Sequence, residues 1–384
     1  MRFLTAGESH GKGLVVVLEG IPAGLTVDLD FINQELRKRQ RFFGRGGRMK
    51  IERDEVKFLS GVRGGETIGS PLSFVIENRD WVNWEKVMHP FLPSKVPPVT
   101  RPRPGHADLA GVMKYLREDC RDILERASAR ETAARTAVGA ICKLFLKEFG
   151  MEVWGWVEEI GGVRIEWKGM DRRRIKERIR ESELLTPDPA KEEEMKERIE
   201  EAREQRDTLG GTFIILAEGI PPGLGNHIQW DLRLDGLIAQ GIMSIPGIKG
   251  VEIGEGFSFS SLTGSSAMDE IVYEEGKLKR LTNHMGGIEG GISNGEDILI
   301  RAVMKPIPTL KKPLRTVDFS SHTVEEAWVE RGDVTAVPSA CLVGEAMVSF
   351  ILAREIKKKF GGDSMEEIRE NFRNYMEKLQ RYHG

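Results

Sequence analysis

One seven-residue phrase occurs twice in this chain, each time at the end of an apolar run. Leu14-Val15-Val16-Val17-Leu18 leads into Glu19-Gly20-Ile21-Pro22-Ala23-Gly24-Leu25, and Phe213-Ile214-Ile215-Leu216-Ala217 leads into Glu218-Gly219-Ile220-Pro221-Pro222-Gly223-Leu224. Six of the seven turn positions are identical. A short β-branched run closed by Gly and Pro reads as a strand. Its recurrence about half a chain later implies an internal duplication.

Between and after these strands the pattern turns helical. Asp30 to Arg39 reads as a helix, and Met49 to Ile76 as strands interrupted by Gly61, Gly64-Gly65 and Gly69. Residues 88–106 hold six prolines and read as a loop. Ser128-Ala-Arg-Glu131 reads as a capping box opening a helix over 129–149, with Ala134, Ala137, Val138, Ile141, Leu144 and Phe145 on one face and Gly150 as its stop. Residues 168–206 read as charged, solvated helix broken at Pro187 and Pro189. A last helix starts near Pro338 and runs toward Gly361.

The net charge of -3 gives no bulk attraction to nucleic acid or anionic membrane, so anion binding must come from local clusters. Cys120, Cys142 and Cys341 fit neither a zinc site nor a redox pair, and reduced buried thiols of a cytoplasmic protein are expected. The N-terminus does not read as a signal peptide, and no apolar run appears long enough to span a membrane.

Two motifs are decoys. Gly7-Glu8-Ser9-His10-Gly11 matches G-x-S-x-G, but that elbow needs a following helix and here a strand follows. Gly7 to Gly13 is also one residue short of a phosphate loop, with Gly13 where a magnesium-binding hydroxyl is needed.

Four segments carry chemistry. Arg37 to Arg48 has six cations in twelve residues, and arginine grips phosphate and carboxylate bidentately. Arg101-Pro-Arg103-Pro-Gly-His106-Ala-Asp108 sets two arginines and a histidine on a Pro-stiffened loop, a good place for an acid or base. Arg126-Ala-Ser128-Ala-Arg130 lies at a helix start, where free amides attract anions. Asn283 to Gly295 is dense in glycine and lets backbone approach a bulky ligand, without matching a dinucleotide fingerprint.

In this order and spacing, these phrases resemble the chorismate synthases, over nearly the whole chain. The phrases that carry the resemblance are Gly7-Glu-Ser-His10-Gly11, Arg103-Pro-Gly-His106-Ala-Asp108, Ser128-Ala-Arg130-Glu-Thr-Ala, Met243-Ser-Ile with Lys249-Gly-Val-Glu-Ile-Gly254, Asn283-His284-Met-Gly-Gly and Arg331-Gly-Asp333. The resemblance implies an α+β fold, a β-α-β sandwich with helices between two antiparallel sheets, as a single domain with a charged helical insertion at about 168–206. It implies a carbon–oxygen lyase that closes the shikimate pathway toward the aromatic amino acids. The reaction is a 1,4-anti elimination of phosphate from 5-enolpyruvylshikimate 3-phosphate, with reduced FMN as cofactor, no metal, and a homotetrameric assembly.

Carried across, His10 matches the histidine thought to protonate reduced flavin, His106 the one thought to protonate the leaving phosphate, and Asp333 the acid proposed to assist proton removal. Flavin contacts fall at Arg126, Ala127, Ser128, Pro246, Gly247, Gly290, Lys305, Pro306, Ile307, Pro308, Thr309 and Arg331. Arg39, Arg45, Arg48 and Arg130 match contacts to substrate or pyridine nucleotide. Gly332 and Pro246-Gly247 depart from the commoner family residues. NADPH is a candidate reductant, although borrowing of reduced flavin is the preferred expectation because no NADPH domain is evident. Two rival readings are a flavin-independent phosphate-ester enzyme and a nucleic-acid-binding module built on residues 37–48.

Overall fold

The computed structural model describes residues 1–45, 52–330 and 332–382, so Arg48 and Arg331 lie outside the described residues. In the first half, strands β1 (Arg2–Ala6), β2 (Gly13–Glu19), β3 (Val56–Ser60) and β4 (Leu72–Glu77) pair in the order β1-β2-β4-β3. In the second half, β5 (Glu152–Ile160), β6 (Gly211–Glu218), β7 (Ile248–Ile253) and β8 (Ile298–Met304) pair in the order β5-β6-β8-β7, with the short strand Val163–Arg164 beyond β5. Every neighbour in both sheets is antiparallel.

The repeated phrase does the same work in both halves. The Thr67 hydroxyl donates to the Pro22 carbonyl at 2.6 Å and accepts the Leu25 amide at 2.9 Å. The Ser293 hydroxyl donates to the Pro221 carbonyl at 2.6 Å and accepts the Leu224 amide at 2.8 Å. Each hydroxyl sits at the end of a two-residue strand in a Gly-Gly hairpin, Val62–Thr67 in one half and Ile288–Ser293 in the other. The duplication read from the turn therefore extends to strand order, hairpin and latch.

Helices fill the space between the sheets. Helix α1 (Leu29–Gln40) is N-capped by Asp28, whose carboxylate accepts the Phe31 amide. After α2 (Trp81–Met88), α3 (Asp108–Tyr115) and α4 (Arg121–Ala127) comes the core helix α5 (Thr132–Lys147). Its start differs from a capping box. The Ser128 hydroxyl accepts from the Arg130 amide in a 3-10 turn, and Glu131 turns away to Arg135 and Thr5. Two nearby cations and a hydroxyl outbid the Ser128 amide for that carboxylate.

Within 168–206 lie α6 (Arg172–Glu181) and α7 (Pro189–Glu204). They occupy the connection from β5 to β6, where the first half has only the loop 7–12. Their surfaces are not wholly solvated: Ile175, Ile179, Met195, Ile199 and Ala202 are buried, and Lys176 covers the Trp154 ring at 4.8 Å. The apolar positions are few but share one face, which suffices when a sheet lies beneath.

After α8 (Leu234–Met243) the chain reaches α9 (Val337–Phe360) and α10 (Met365–Leu379). By length and composition α9 could cross a membrane, which corrects the expectation that no such run exists; 94% of its most apolar window is buried inside the fold. Its Phe350 packs edge-on to Phe3 of the first sheet, while Gly344 abuts Ile215 of the second.

Helices α5 and α9 meet backbone to backbone. A Cβ on Gly139 would stand 2.2 Å from the Ala346 Cβ and 2.3 Å from its Cα, so only glycine permits the approach. Replacing Gly139 with Val is expected to lower stability by about 1–3 kcal/mol or more, the usual cost of overpacking. A thermal midpoint equal to that of the parent, followed by circular dichroism, would show that the helices can separate freely.

Candidate active site

Both halves leave the core at the same point, after β4 and after β8, and both excursions return as the core helices α5 and α9. Residues 78–131 and 305–336 are these excursions, and they pack on each other. Thr100 bonds Asp318 at 2.8 Å, and Thr316 donates to the Pro102 carbonyl at 2.8 Å. The residues singled out from sequence lie mainly on these two segments and on the β1–β2 loop.

That loop carries His10. Gly7 has φ +105, and a Cβ there would stand 2.2 Å from the Gly13 carbonyl oxygen. The Asn78 amide holds the carbonyls of Glu8, Ser9 and Gly11 at 2.8–3.1 Å. Ser9 is buried, as expected of a framework residue and not of an exposed nucleophile. The His10 side chain is 13% exposed and faces Glu125. Glu125 Oε1 lies 2.9 Å from Nδ1, and Oε2 accepts the His10 amide at 2.8 Å. Trp84 stacks on the imidazole with centroids 3.9 Å apart. Burial would raise the Glu125 carboxyl, but the hydrogen bonds and charge of His10, with Arg121, hold it below the ordinary glutamate value.

His106 has a parallel arrangement. Its Nδ1 is 2.5 Å from Asp108 Oδ1. Arg103 grips Asp108 through Nε at 2.8 Å, Nη2 at 3.2 Å and its backbone amide at 3.1 Å. Arg103 Nη2 also approaches Nδ1 at 3.1 Å, but guanidinium only donates. The short contact to a carboxylate requires a proton on Nδ1, so Asp108 is its partner and Nε2 is left for a reactant. Burial would raise Asp108 too, yet hydrogen bonds from His106 and Arg103 hold it well below the aspartate range.

The two histidines are connected. Arg121 bonds Glu125 at 3.2 Å, and Glu330 lies 3.9 Å from Arg121 and 3.5 Å from Arg103. Carboxylates and guanidiniums thus alternate from His10 to His106.

Behind the His10 loop lies a buried cluster. Arg39 and Arg130 are each 3% exposed and share Asp54, which is fully buried, at 3.0 and 2.5 Å. Arg130 Nε also donates to Asn78 Oδ1 at 2.8 Å. Burial, together with the charges of Arg45 and Arg130, brings the Arg39 guanidinium down to about 10 despite Asp54. Arg45 pairs with Asp333 at 3.0 Å.

A cavity of about 430 Å³ opens along residues 126–131, which adjoin Glu125 and contain Arg130 in the chain. Arg126, Ala127, Ser128 and Pro246 line it, with Thr5, Arg135 and Ser244. Next to Pro246, the Gly247 carbonyl accepts the Lys305 amide at 2.9 Å, and Lys305 Nζ donates to the Gly105 carbonyl. Burial, aided by nearby Lys249, lowers the Lys305 ammonium. Pro308 lies close to Gly105, the Ile307 carbonyl accepts from Thr208, and Pro306 backs Gly210. Thr309 accepts from Arg103 Nη1 at 2.8 Å. Gly290 stands apart: its hairpin bonds the N-terminal end of α8 through the Gly291 carbonyl and the Leu234 amide, whereas Pro246 follows the other end, about 15 Å along a ten-residue helix.

Glu125, Asp54, Asn78, Arg121, Trp84 and Glu330 were not among the residues read as functional from sequence. Glu125 directly precedes the Arg126-Ala-Ser128 motif, but nothing local in sequence sets it apart among 60 acidic residues; only the fold shows it buried against His10. The three cysteines are free and buried.

The model of the chorismate synthase family matches residues 1–356. The chorismate synthase of Geobacter sulfurreducens is 53% identical over 393 aligned residues covering all of both chains, and that of Aquifex aeolicus is 53% identical over all of this chain and 99% of its own. A solved structure described as a crystal structure of chorismate synthase superposes with a TM-score of 0.81 at 44% identity, covering 99% of this chain and 98% of the other. With every excursion and both histidine motifs inside those matched spans, the chain belongs to the chorismate synthase family.

Proposed function

We propose that this chain catalyses its family's reaction, the loss of phosphate from 5-enolpyruvylshikimate 3-phosphate to give chorismate, with His10, His106 and Asp333 as its acid–base groups. The reading is carried by the two histidines, each backed at Nδ1 by a buried carboxylate and joined through Arg103, Glu330 and Arg121. A histidine so held keeps one nitrogen for proton transfer.

His106 Nε2 gives a proton to the departing phosphate, and Asp108 keeps the ring in register. Lys305, lying beside that loop with Lys249 nearby, supplies positive charge that an arriving phosphate would neutralise. A preorganised donor of this kind is worth about 3 kcal/mol in the transition state. Asp333, ion-paired with Arg45, presents a carboxylate that can accept a proton. Arg45 and Arg48 are assigned to the anionic groups of the substrate, or to a pyridine nucleotide. Arg39 and Arg130 support that wall from behind through Asp54.

The residues fit reduced FMN. A 430 Å³ cavity is within the ordinary range for a ligand site, and Arg126 and Ser128 offer donors on its wall. Ala127, Pro246 and Gly247 would hold the ring system, with Lys305 to Thr309 and Arg331 assigned as further flavin contacts and Gly290 as an outlying one. When bound, reduced flavin lends electron density to the ring and recovers it, so that no net redox change results. His10 is the proton-holding group assigned to the flavin. NADPH is not required in this reading once reduced flavin is supplied. A cytoplasmic, homotetrameric protein is part of the same proposal, supported by three free buried thiols and by apolar Leu4, Val15 and Val17 on the outer face of the first sheet.

Titration of FMN followed by its absorbance, with and without substrate, tests the reading. Substrate is expected to tighten FMN binding, and chorismate is expected to form when the flavin is reduced. Unchanged affinity together with no chorismate would overturn the assignment.

A further inference from the structure

We infer that Glu125 is a positioning residue that fixes His10 in the Nδ1–H tautomer, so that Nε2 is its working nitrogen. The inference rests on the reading of His10 as an acid–base group, and goes beyond it by naming the atom and the residue that selects it.

Glu125 is 3% exposed, a placement that costs several kcal/mol unless the charge is satisfied. Arg121 supplies part of that satisfaction, donating to Oε1 at 3.2 Å. Both carboxylate oxygens also turn to residue 10, Oε2 to its main-chain amide at 2.8 Å and Oε1 to its ring at 2.9 Å. An ionised carboxylate only accepts, so the ring nitrogen facing it carries hydrogen. The other face of the problem is rotation. A flip of the imidazole would break the Nδ1 bond, and Trp84, stacked at 3.9 Å with Arg121 5.1 Å from its own ring, confines the imidazole to that plane. Main chain, ring nitrogen and ring face are therefore all held. In water the Nε2–H tautomer of a neutral histidine is the commoner, so the structure makes a choice that solution would not.

A purely structural role for Glu125, as an anchor for the loop 7–12, predicts something different. It needs only the bond to the His10 amide and is indifferent to the tautomer. Glu125→Gln separates the two roles. If the amide oxygen keeps the main-chain bond, the NH2 group faces Nδ1 and donates to it, which moves the hydrogen to Nε2.

The decisive measurement is nitrogen-15 NMR of histidine-labelled protein at a pH where the ring is neutral, with the His10 signals assigned by their loss in His10→Gln. The wild-type ring is expected to show hydrogen on Nδ1 and none on Nε2. The reverse pattern overturns the inference whatever the variant does, so the test stands even if Glu125→Gln fails to fold. In the folded variant the hydrogen is expected to move to Nε2. With reduced FMN supplied, kcat should fall ~10²-fold or more with KM little changed, the scale of lost acid–base catalysis. Wild-type turnover in Glu125→Gln also overturns it. Failure of the underlying reading looks different: His10→Gln would keep its turnover while the wild-type tautomer remained as inferred.

Discussion

His106→Ala is expected to retain flavin affinity and to lose turnover ~10²-fold or more, the usual effect of removing a general acid. The structure gives two reasons why the defect should be chemical and not a collapse of the loop. First, Asp108 keeps three bonds from Arg103, to Nε, Nη2 and the backbone amide, so removing the imidazole does not leave a bare buried carboxylate. Second, the loop is anchored elsewhere, by Thr316 on the Pro102 carbonyl, by Lys305 on the Gly105 carbonyl and by Thr309 on Arg103. The cavity proposed for the flavin is lined by Arg126, Ala127, Ser128 and Pro246, none of which bonds His106. Steady-state turnover with supplied reduced FMN, beside an FMN titration of the same variant, checks both halves of the expectation. Near-normal turnover would remove His106 from the mechanism.

What could be read from sequence follows from how local each feature is. The turn phrase Glu-Gly-Ile-Pro-x-Gly-Leu is visible because a left-handed turn needs glycine at fixed places, and Gly20, Gly24, Gly219 and Gly223 all have positive φ. The hydroxyls that lock it, Thr67 and Ser293, come from 42 and 69 residues away along the chain and have no local signature. The histidine motifs stand out by their Gly and Pro context, whereas the carboxylate on His10 comes from 115 residues downstream. The Ser128 box shows the limit of local reading: the spacing is right, but Glu131 has better partners in Arg135 and Thr5. Helix α7 shows the same limit in the opposite sense, since a sparse apolar stripe became buried once a sheet lay under it. The arginines of 37–48 read as one basic loop, and the fold divides those it describes. Arg39 goes inside against Asp54, and Arg45 reaches Asp333.

That division makes Asp54 a residue whose loss should cost heavily in stability. It is fully buried and is the shared partner of Arg39 and Arg130. Asp54→Asn keeps the volume but takes from two buried guanidiniums the carboxylate they share, leaving Arg130 with Glu52 at 3.9 Å, and breaking a buried pair in this way costs about 3–5 kcal/mol. The effect carries a pH signature. Burial pushes the Asp54 carboxyl up, but Arg39 and Arg130 overcome it and hold the folded value below normal. A depressed folded pKa means that the ionised form stabilises the fold above the unfolded value, about 3.9 for aspartate. That contribution is lost as pH falls through the folded value. The gap between parent and variant in urea unfolding should therefore be widest near neutrality and close below about pH 4. A gap that persists undiminished at low pH would mean that shape, and not charge, sets the cost. Because Arg130 also holds Asn78, and Asn78 holds three carbonyls of the His10 loop, turnover in Asp54→Asn is expected to fail at urea concentrations where the fold itself survives.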